Sequence, residues 1–258
     1  MPDRHLNLPL REWTVLSLRP SGQHAVAHCA SKVRGAKFLS CSSIKLKTIE
    51  NDADLKKALT CNRLIVTSPA AARFAAKSPV FYIPEKSSWY AIGQGTASIL
   101  KKNGVSEIIT SADGADSESL LALPGLQDIR GKHIGLLTAP GGRGLIEPEL
   151  VKRGAMVSTA HVYQRRTIAI TPKKLRRLST LNQPFAVLCS SYEVFESFWQ
   201  QIPAATQEIM KRGLWIASSS RLEGLIRKTG IANTTVSNSA QPGVMLEHLV
   251  HVQTQQVR

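Results

Sequence analysis

Three strand–turn–helix units recur along this chain in the same order, and no other feature limits its fold so tightly. Ser88–Gly104 reads SWYAIGQGTASILKKNG and Leu214–Gly230 reads LWIASSSRLEGLIRKTG. Each gives a short apolar strand, a turn of small polar residues, an apolar stripe, a basic pair and a closing glycine. That is the pattern of a strand feeding a capped helix. Arg63–Ala76 (RLIVTSPAAARFAA) matches Phe185–Phe198 (FAVLCSSYEVFESF), and Trp13–Ala36 matches Lys132–Ala155. The offsets are all roughly 120 residues, about one domain's length. Any two α/β units share such an outline, so coincidence is the competing reading. Three units in one order argue against it.

Strands are expected at Thr14–Leu18, Lys37–Ile49, Leu64–Thr67, Val80–Ile83, Trp89–Ile92, Glu107–Thr110, His133–Leu137, Met156–Ile170, Phe185–Cys189, Leu214–Ala217 and Asn233–Val236. Amphipathic helices fill the gaps, which implies parallel sheets covered on both faces. Two of these strands, Lys37–Ile49 and Met156–Ile170, are too long for such a sheet. Both follow a Gly-Ala pair at the same place in the repeat. A strand of that length can leave one sheet and enter another. The expected fold is therefore α/β with two doubly wound parallel-sheet domains joined by a two-stranded β ladder. The first domain is discontinuous, residues 1–37 with 168–258, and the second is 38–167. A bent strand within one large sheet is the alternative. Two crossovers would permit hinge motion, and a ligand is expected in the cleft that the strands' carboxyl ends face.

At 258 residues and 43% hydrophobic content the chain is long enough for one large core or two small ones. No apolar run approaches the roughly 20 residues of a membrane span. The start, MPDRHLNLPLREW, lacks the apolar core of a secretory leader. Cys29, Cys41, Cys61 and Cys189 show no metal-type spacing, so reduced thiols in a cytoplasmic protein are expected. The net charge of +15 attracts polyanions, with nucleic acid the usual partner. Its densest clusters, Gln164-Arg165-Arg166 and Lys173-Lys174-Leu175-Arg176-Arg177, are not interleaved with aromatic residues, and solvated helix faces account for most of the charge. A highly carboxylated metabolite explains the excess as well as DNA does.

Particular motifs narrow the reading. They are Leu18-Arg19-Pro20 after the first strand, Ile65-Val66-Thr67-Ser68, Ile92-Gly93-Gln94-Gly95-Thr96-Ala97, Pro140-Gly141-Gly142-Arg143-Gly144, Gly154-Ala155-Met156-Val157 and Val162-Tyr163-Gln164-Arg165. In this order and spacing the chain resembles the uroporphyrinogen-III synthase family along nearly its whole length. It departs from the family in the second half, where the second T-S-P motif reads Cys189-Ser190-Ser191. The second G-P-x-T turn reads Ser219-Ser220-Arg221-Leu222, with the helix-start threonine replaced by Leu222.

The resemblance implies a two-domain, cofactor-free, metal-free lyase. Its substrate would be hydroxymethylbilane, a linear tetrapyrrole with eight carboxylates, and its product uroporphyrinogen III. Loss of the terminal hydroxyl gives an azafulvene that closes unaided to the symmetric isomer I. The enzyme's task is to favour attack through the substituted carbon of the last ring, by way of a spiro intermediate. Folding the bilane therefore matters more than acid catalysis. Carboxylates are expected on open helix N-termini, where free N–H groups and small side chains collect. The candidates are Thr67, Ser68, Gly93, Gln94, Thr96, Thr138, Gly142, Arg143, Ser190 and Ser191, with Ser219, Ser220 and Arg221 in the divergent turn. Ordinary helix capping is the competing role for each. Arg19 would pair with a carboxylate or close the strand end. Tyr163, matched to the family's crossover tyrosine, is the catalytic candidate, because a phenol stays protonated at neutral pH and can donate to the departing hydroxyl. Packing as a buried tyrosine is its alternative.

The implied partners are the bilane and, as a candidate, the upstream enzyme that makes it. Neither nucleic acid nor membrane is expected, and a monomer is. Two other classes stay open: a non-catalytic two-domain binder of a polycarboxylate or tetrapyrrole, and a basic nucleic-acid-binding protein, which a steep salt dependence of DNA binding would reveal.

Overall fold

The computed structural model describes residues 8–111, 116–141 and 144–256. The chain divides into two compact units, residues 1–45 with 166–258 and residues 46–165. The first unit opens with β1 (Thr14–Ser17), α1 (Ala25–Lys32) and β2 (Lys37–Ser40). It resumes with α7 (Pro172–Ser179), β10 (Phe185–Cys189), α8 (Tyr192–Trp199), α9 (Ala204–Lys211), β11 (Leu214–Ala217), α10 (Ser220–Arg227), β12 (Thr234–Val236) and α11 (Pro242–Gln256). The second unit holds α2 (Asp52–Leu59), β4 (Arg63–Val66), α3 (Pro69–Ala76), β5 (Ser88–Ala91), α4 (Gln94–Lys102) and β6 (Ile108–Thr110). It closes with α5 (Ser117–Leu121), β7 (His133–Thr138), α6 (Ile146–Lys152) and β8 (Met156–His161). Between the units run β3 (Ile44–Thr48) and β9 (Tyr163–Thr167).

Each unit carries a five-stranded parallel sheet, ordered β12-β11-β10-β1-β2 in the first and β6-β5-β4-β7-β8 in the second. The two orders are the same when the repeated segments are matched: β4 with β10, β5 with β11, β7 with β1, β8 with β2. The repeat is therefore a circular permutation, in which the first unit's β1–α1–β2 segment precedes the inserted second unit. The closing glycines of the first matched pair show why glycine recurs there. Gly104 and Gly230 sit at φ 95° and 85°, in the left-handed region that side chains with a Cβ avoid.

Strand alternation sends successive residues to opposite faces, and helices cover both. In the second unit Leu64 and Val66 enter one cluster with Trp89, Leu100 and Leu137, while Ile65 enters another with Tyr90, Leu120, Leu136 and Leu150. In the first unit Val15, Leu188 and Ile216 pack under Ala27 of α1 and Leu246 and Leu249 of α11. The opposite face is aromatic: Phe195 meets Trp215 edge-on at 5.5 Å between ring centroids and stacks with Trp199 at 5.8 Å.

The two overlong strands are real excursions, but each is broken. Lys37–Ile49 becomes β2 and β3, separated at Cys41–Ser43, and Met156–Ile170 becomes β8 and β9, separated at Val162. Val162 makes the change of sheet in one residue. Its N–H bonds the carbonyl of Thr138 in the parallel sheet, and its carbonyl receives the Ile49 N–H of the ladder. The Ile168 N–H to the Ser43 carbonyl closes the ladder's far end, so β3 and β9 run antiparallel. Strand Val80–Ile83 does not form. Pro79 and Pro84 flank it, the Phe81 N–H closes a turn onto Ser78, and Tyr82 and Ile83 are exposed. An apolar, β-prone run without a neighbouring strand to pair with stays a loop.

Candidate active site

In a doubly wound sheet the crevice for a ligand opens where the strand order reverses, beyond the strands' carboxyl ends. The second unit reverses between β4 and β7. There the Thr67 hydroxyl donates to the Thr138 hydroxyl at 2.8 Å, joining residues 71 apart in sequence. Ser68 follows as the N-cap of α3, its Oγ accepting the Ala71 N–H at 2.9 Å. The next helix along, α4, begins beside it: a Cβ on Gly95 would lie 3.5 Å from the Pro69 ring. Thus Thr67, Ser68, Thr138, Gly93 and Thr96 gather at one end of one sheet. Gln94 belongs to the same turn but reaches sideways, its amide donating to the Thr110 hydroxyl at 2.9 Å.

The N-terminus of α4 differs from that of α3. Gly93 occupies the N-cap with extended backbone and brings no side-chain acceptor. Thr96, 1% exposed, has a buried hydroxyl with no hydrogen-bond partner among the described residues. Gly142 and Arg143 lie outside the described residues.

Tyr163 enters this end of the sheet from β9. It is buried, 2% exposed, and stacked on Phe74 of α3 at 5.3 Å between ring centroids. Its hydroxyl lies 3.3 Å from Ser68 Oγ and receives an Arg165 N–H at 3.2 Å. The Arg165 guanidinium carbon stands 5.5 Å from the Tyr163 ring centroid, and another of its N–H groups donates to the Pro140 carbonyl at 3.4 Å. Arg165 is the residue missed by sequence reasoning. The signal was present, since positions two apart on a strand share a face.

The first unit reverses between β10 and β1. Ser191 caps α8 and accepts the Val194 N–H at 3.2 Å; Ser219 caps α10 and accepts the Leu222 N–H at 3.3 Å. The divergent turn is thus a working cap, and the helix starts from Ser219. Leu222, 5% exposed, takes the buried place that Thr96 takes in α4. Ser190 is tied to the same edge, its carbonyl accepting from the Ser218 hydroxyl at 3.3 Å. Ser220 and Arg221 stand exposed in the first turn of α10. The guanidinium of Arg19 donates to the carbonyl of Ala240, so it closes the strand end onto the loop before α11.

A second feature that sequence reasoning missed lies behind Arg19. His24 Nε2 is 2.7 Å from Ser42 Oγ and Nδ1 is 3.0 Å from Ser17 Oγ, while Ser42 Oγ donates to the Arg19 carbonyl at 2.9 Å. Burial first, then the Lys174 and Arg19 cations, hold the imidazole down to about 4. Burial also pushes the Cys41 thiol up to about 11 against the pull of Lys174. Among the described residues no three His, Cys, Asp or Glu side chains converge as metal ligands do.

What these elements can do is hold anions. Within each unit, helices that start at the strand ends present free N–H groups and a positive dipole end, each worth about 0.3–1 kcal/mol toward a carboxylate and up to about 2 when partly buried. Comparison with known proteins points to one family. The family model described as uroporphyrinogen-III synthase HemD matches residues 26–247. The chain is 32% identical to the uroporphyrinogen-III synthase of Escherichia coli K12 over 168 residues, covering 64% of this chain and 68% of that one. It is 29% identical to the Salmonella typhimurium enzyme over 243 residues, 93% and 96% of the two chains. Among solved structures, a mutant uroporphyrinogen III synthase from Thermus thermophilus shares the fold with a TM-score of 0.61 at 18% identity, covering 94% of this chain and 99% of that one. The uroporphyrinogen-III synthetase of Helicobacter pylori 26695 does so with 0.60 at 14% identity, covering 93% and 99%.

Proposed function

The chain belongs to the uroporphyrinogen-III synthase family, and from that membership we propose that it closes hydroxymethylbilane to uroporphyrinogen III, inverting the last pyrrole ring through a spiro intermediate and losing water. One observation carries the reading: the family match runs from α1 of the first unit, through all of the second, into α11.

The division of labour follows from the chemistry. The substrate is a flexible octacarboxylate, and its unaided closure gives the wrong isomer. The protein must therefore restrict conformations and choose the attacking carbon. The N-termini of α3 and α4 in the second unit, and of α8 and α10 in the first, supply main-chain N–H groups for the carboxylates, with the net charge of +15 favouring the encounter. Ser191 and Ser219, like Ser68, accept an N–H of their own helices, which leaves the other first-turn N–H groups and the hydroxyl protons for a carboxylate. Thr96 has a hydroxyl to offer, while Leu222 at the matching position has none. Tyr163 and Ser68 supply the proton donor for the departing hydroxyl. The same reading carries a cytoplasmic monomer that receives its substrate from the bilane-forming enzyme.

The test supplies freshly generated hydroxymethylbilane, oxidises the products and separates the isomers. Isomer III above the spontaneous background is the expected result. Isomer I alone would reduce the protein to a binder of the bilane.

A further inference from the structure

The hydrogen bonds around Tyr163 have a direction. Arg165 carries only donors, so its 3.2 Å contact gives an N–H to the phenol oxygen. The phenol proton then needs an acceptor, because a buried donor is rarely left unpaired. Among the described residues the acceptor in reach is Ser68 Oγ at 3.3 Å. Ser68 Oγ already accepts the Ala71 N–H at 2.9 Å. Both of its lone pairs are thus taken, and its own proton is left to point elsewhere. Tyr163 is sealed at 2% exposure, whereas Ser68 is only partly buried, at the strand end where the sheet order reverses. Phe74 and the Pro140 carbonyl fix the two ends of the chain of contacts by holding the phenol ring and the guanidinium.

We propose that Arg165, Tyr163 and Ser68 form a proton relay, in which the Ser68 hydroxyl meets the substrate and Arg165 is the positioning residue that sets the resting direction of the hydrogen bonds. This rests on the synthase reading above. In the step, the terminal C–O bond breaks with its electron pair on oxygen, and that oxygen takes the Ser68 proton and leaves as water. Ser68 takes the phenol proton, and the phenolate is held by the Arg165 guanidinium. The adjacent pyrrole nitrogen supplies electrons to the vacated carbon, giving the protonated azafulvene. The proton shed when the final ring regains aromaticity passes to Ser68, whose own proton returns to the phenolate.

The experiment measures isomer III formation by Ser68→Gly, Tyr163→Phe and the double variant. Glycine suits the position because an N-cap tolerates it, as α4 does with Gly93. Each single change should lower kcat about tenfold or more, with KM within about twofold. The double variant should be no slower than Ser68→Gly alone, since both cut one path. Ser68→Thr should restore most of the rate, and Arg165→Lys more of it than Arg165→Met. Melting curves confirm folding; if Ser68→Gly is unfolded, Tyr163→Phe carries the test, and a normal kcat there overturns the relay. A Ser68→Gly enzyme with normal kcat, or a double variant whose loss is the product of the single losses, overturns the relay while leaving the synthase reading intact. Isomer I alone from the wild type overturns both.

Discussion

Acid should weaken this protein through His24, and a single substitution should remove that weakness. Both imidazole nitrogens are engaged by hydroxyls, and the pattern demands the neutral ring. Ser42 gives its proton to the Arg19 carbonyl, so it accepts from Nε2–H, and Nδ1 accepts from Ser17. A second ring proton would force the Ser17 hydroxyl, which is 0% exposed, to turn away from its partner. The charged groups facing the ring, Lys174 and Arg19, are both cations and add repulsion. The folded-state value of about 4 lies below the ordinary 6.5. Between those pH values the unfolded chain binds a proton that the folded chain refuses, so stability rises with pH across that window and is lost as pH falls through it. A fall from 6.5 to about 4 corresponds to about 3 kcal/mol at 1.36 kcal/mol per tenfold in proton affinity. Partial exposure and solvent screening trim it to about 2. Urea unfolding at pH 7.5 and pH 4 measures the loss in wild type and in His24→Gln. The wild type should lose about 2 kcal/mol more than the variant over that span, and this difference cancels other groups, including His248, whose pKa burial also lowers. An NMR titration of the His24 ring gives the folded value directly. Equal losses in the two proteins, or a ring titrating near its ordinary value, would refute the reasoning.

Other expectations follow from packing and capping. Gly135→Ala places a Cβ 2.2 Å from the Ala58 carbonyl oxygen at the end of α2, so the helix must lift off β7; a destabilisation of about 2 kcal/mol or more should show in chemical unfolding. Ser191→Ala removes the cap of α8 and should cost about 1 kcal/mol, with Ser191→Asn recovering most of it in the same assay. Thiol alkylation of the folded protein should label Cys29 alone. Cys41, Cys61 and Cys189 are buried with their thiols pushed up by burial, and mass spectrometry of the labelled peptides decides the matter.

Local pattern was enough for most elements, and particular residues show why. The apolar run Phe185–Cys189 bounded by a proline and two serines forms a strand wherever its neighbours lie. Serines before α3, α8 and α10 cap their own helices three residues on, so their role is set within one turn of chain. Val80–Ile83 had the same apolar content as a strand and failed for want of a partner, which a local window does not contain. Likewise Lys37–Ile49 breaks at Cys41–Ser43, where the Ser42 hydroxyl donates to the Arg19 carbonyl 23 residues away, a partner that a local window does not contain.

A repeated βα architecture, and the turns that carry its helix N-termini, could be read from the order of residues alone, because periodicity, caps and closing glycines act over a few positions. Which side chains meet at those turns was settled by the assembled fold. Thr67 finds Thr138, Tyr163 finds Ser68, and His24 finds Ser42 across 71, 95 and 18 residues. Such contacts depend on strand order and on where each strand stops. Those follow from how whole sheets share their neighbours and cover, a property that no single segment possesses.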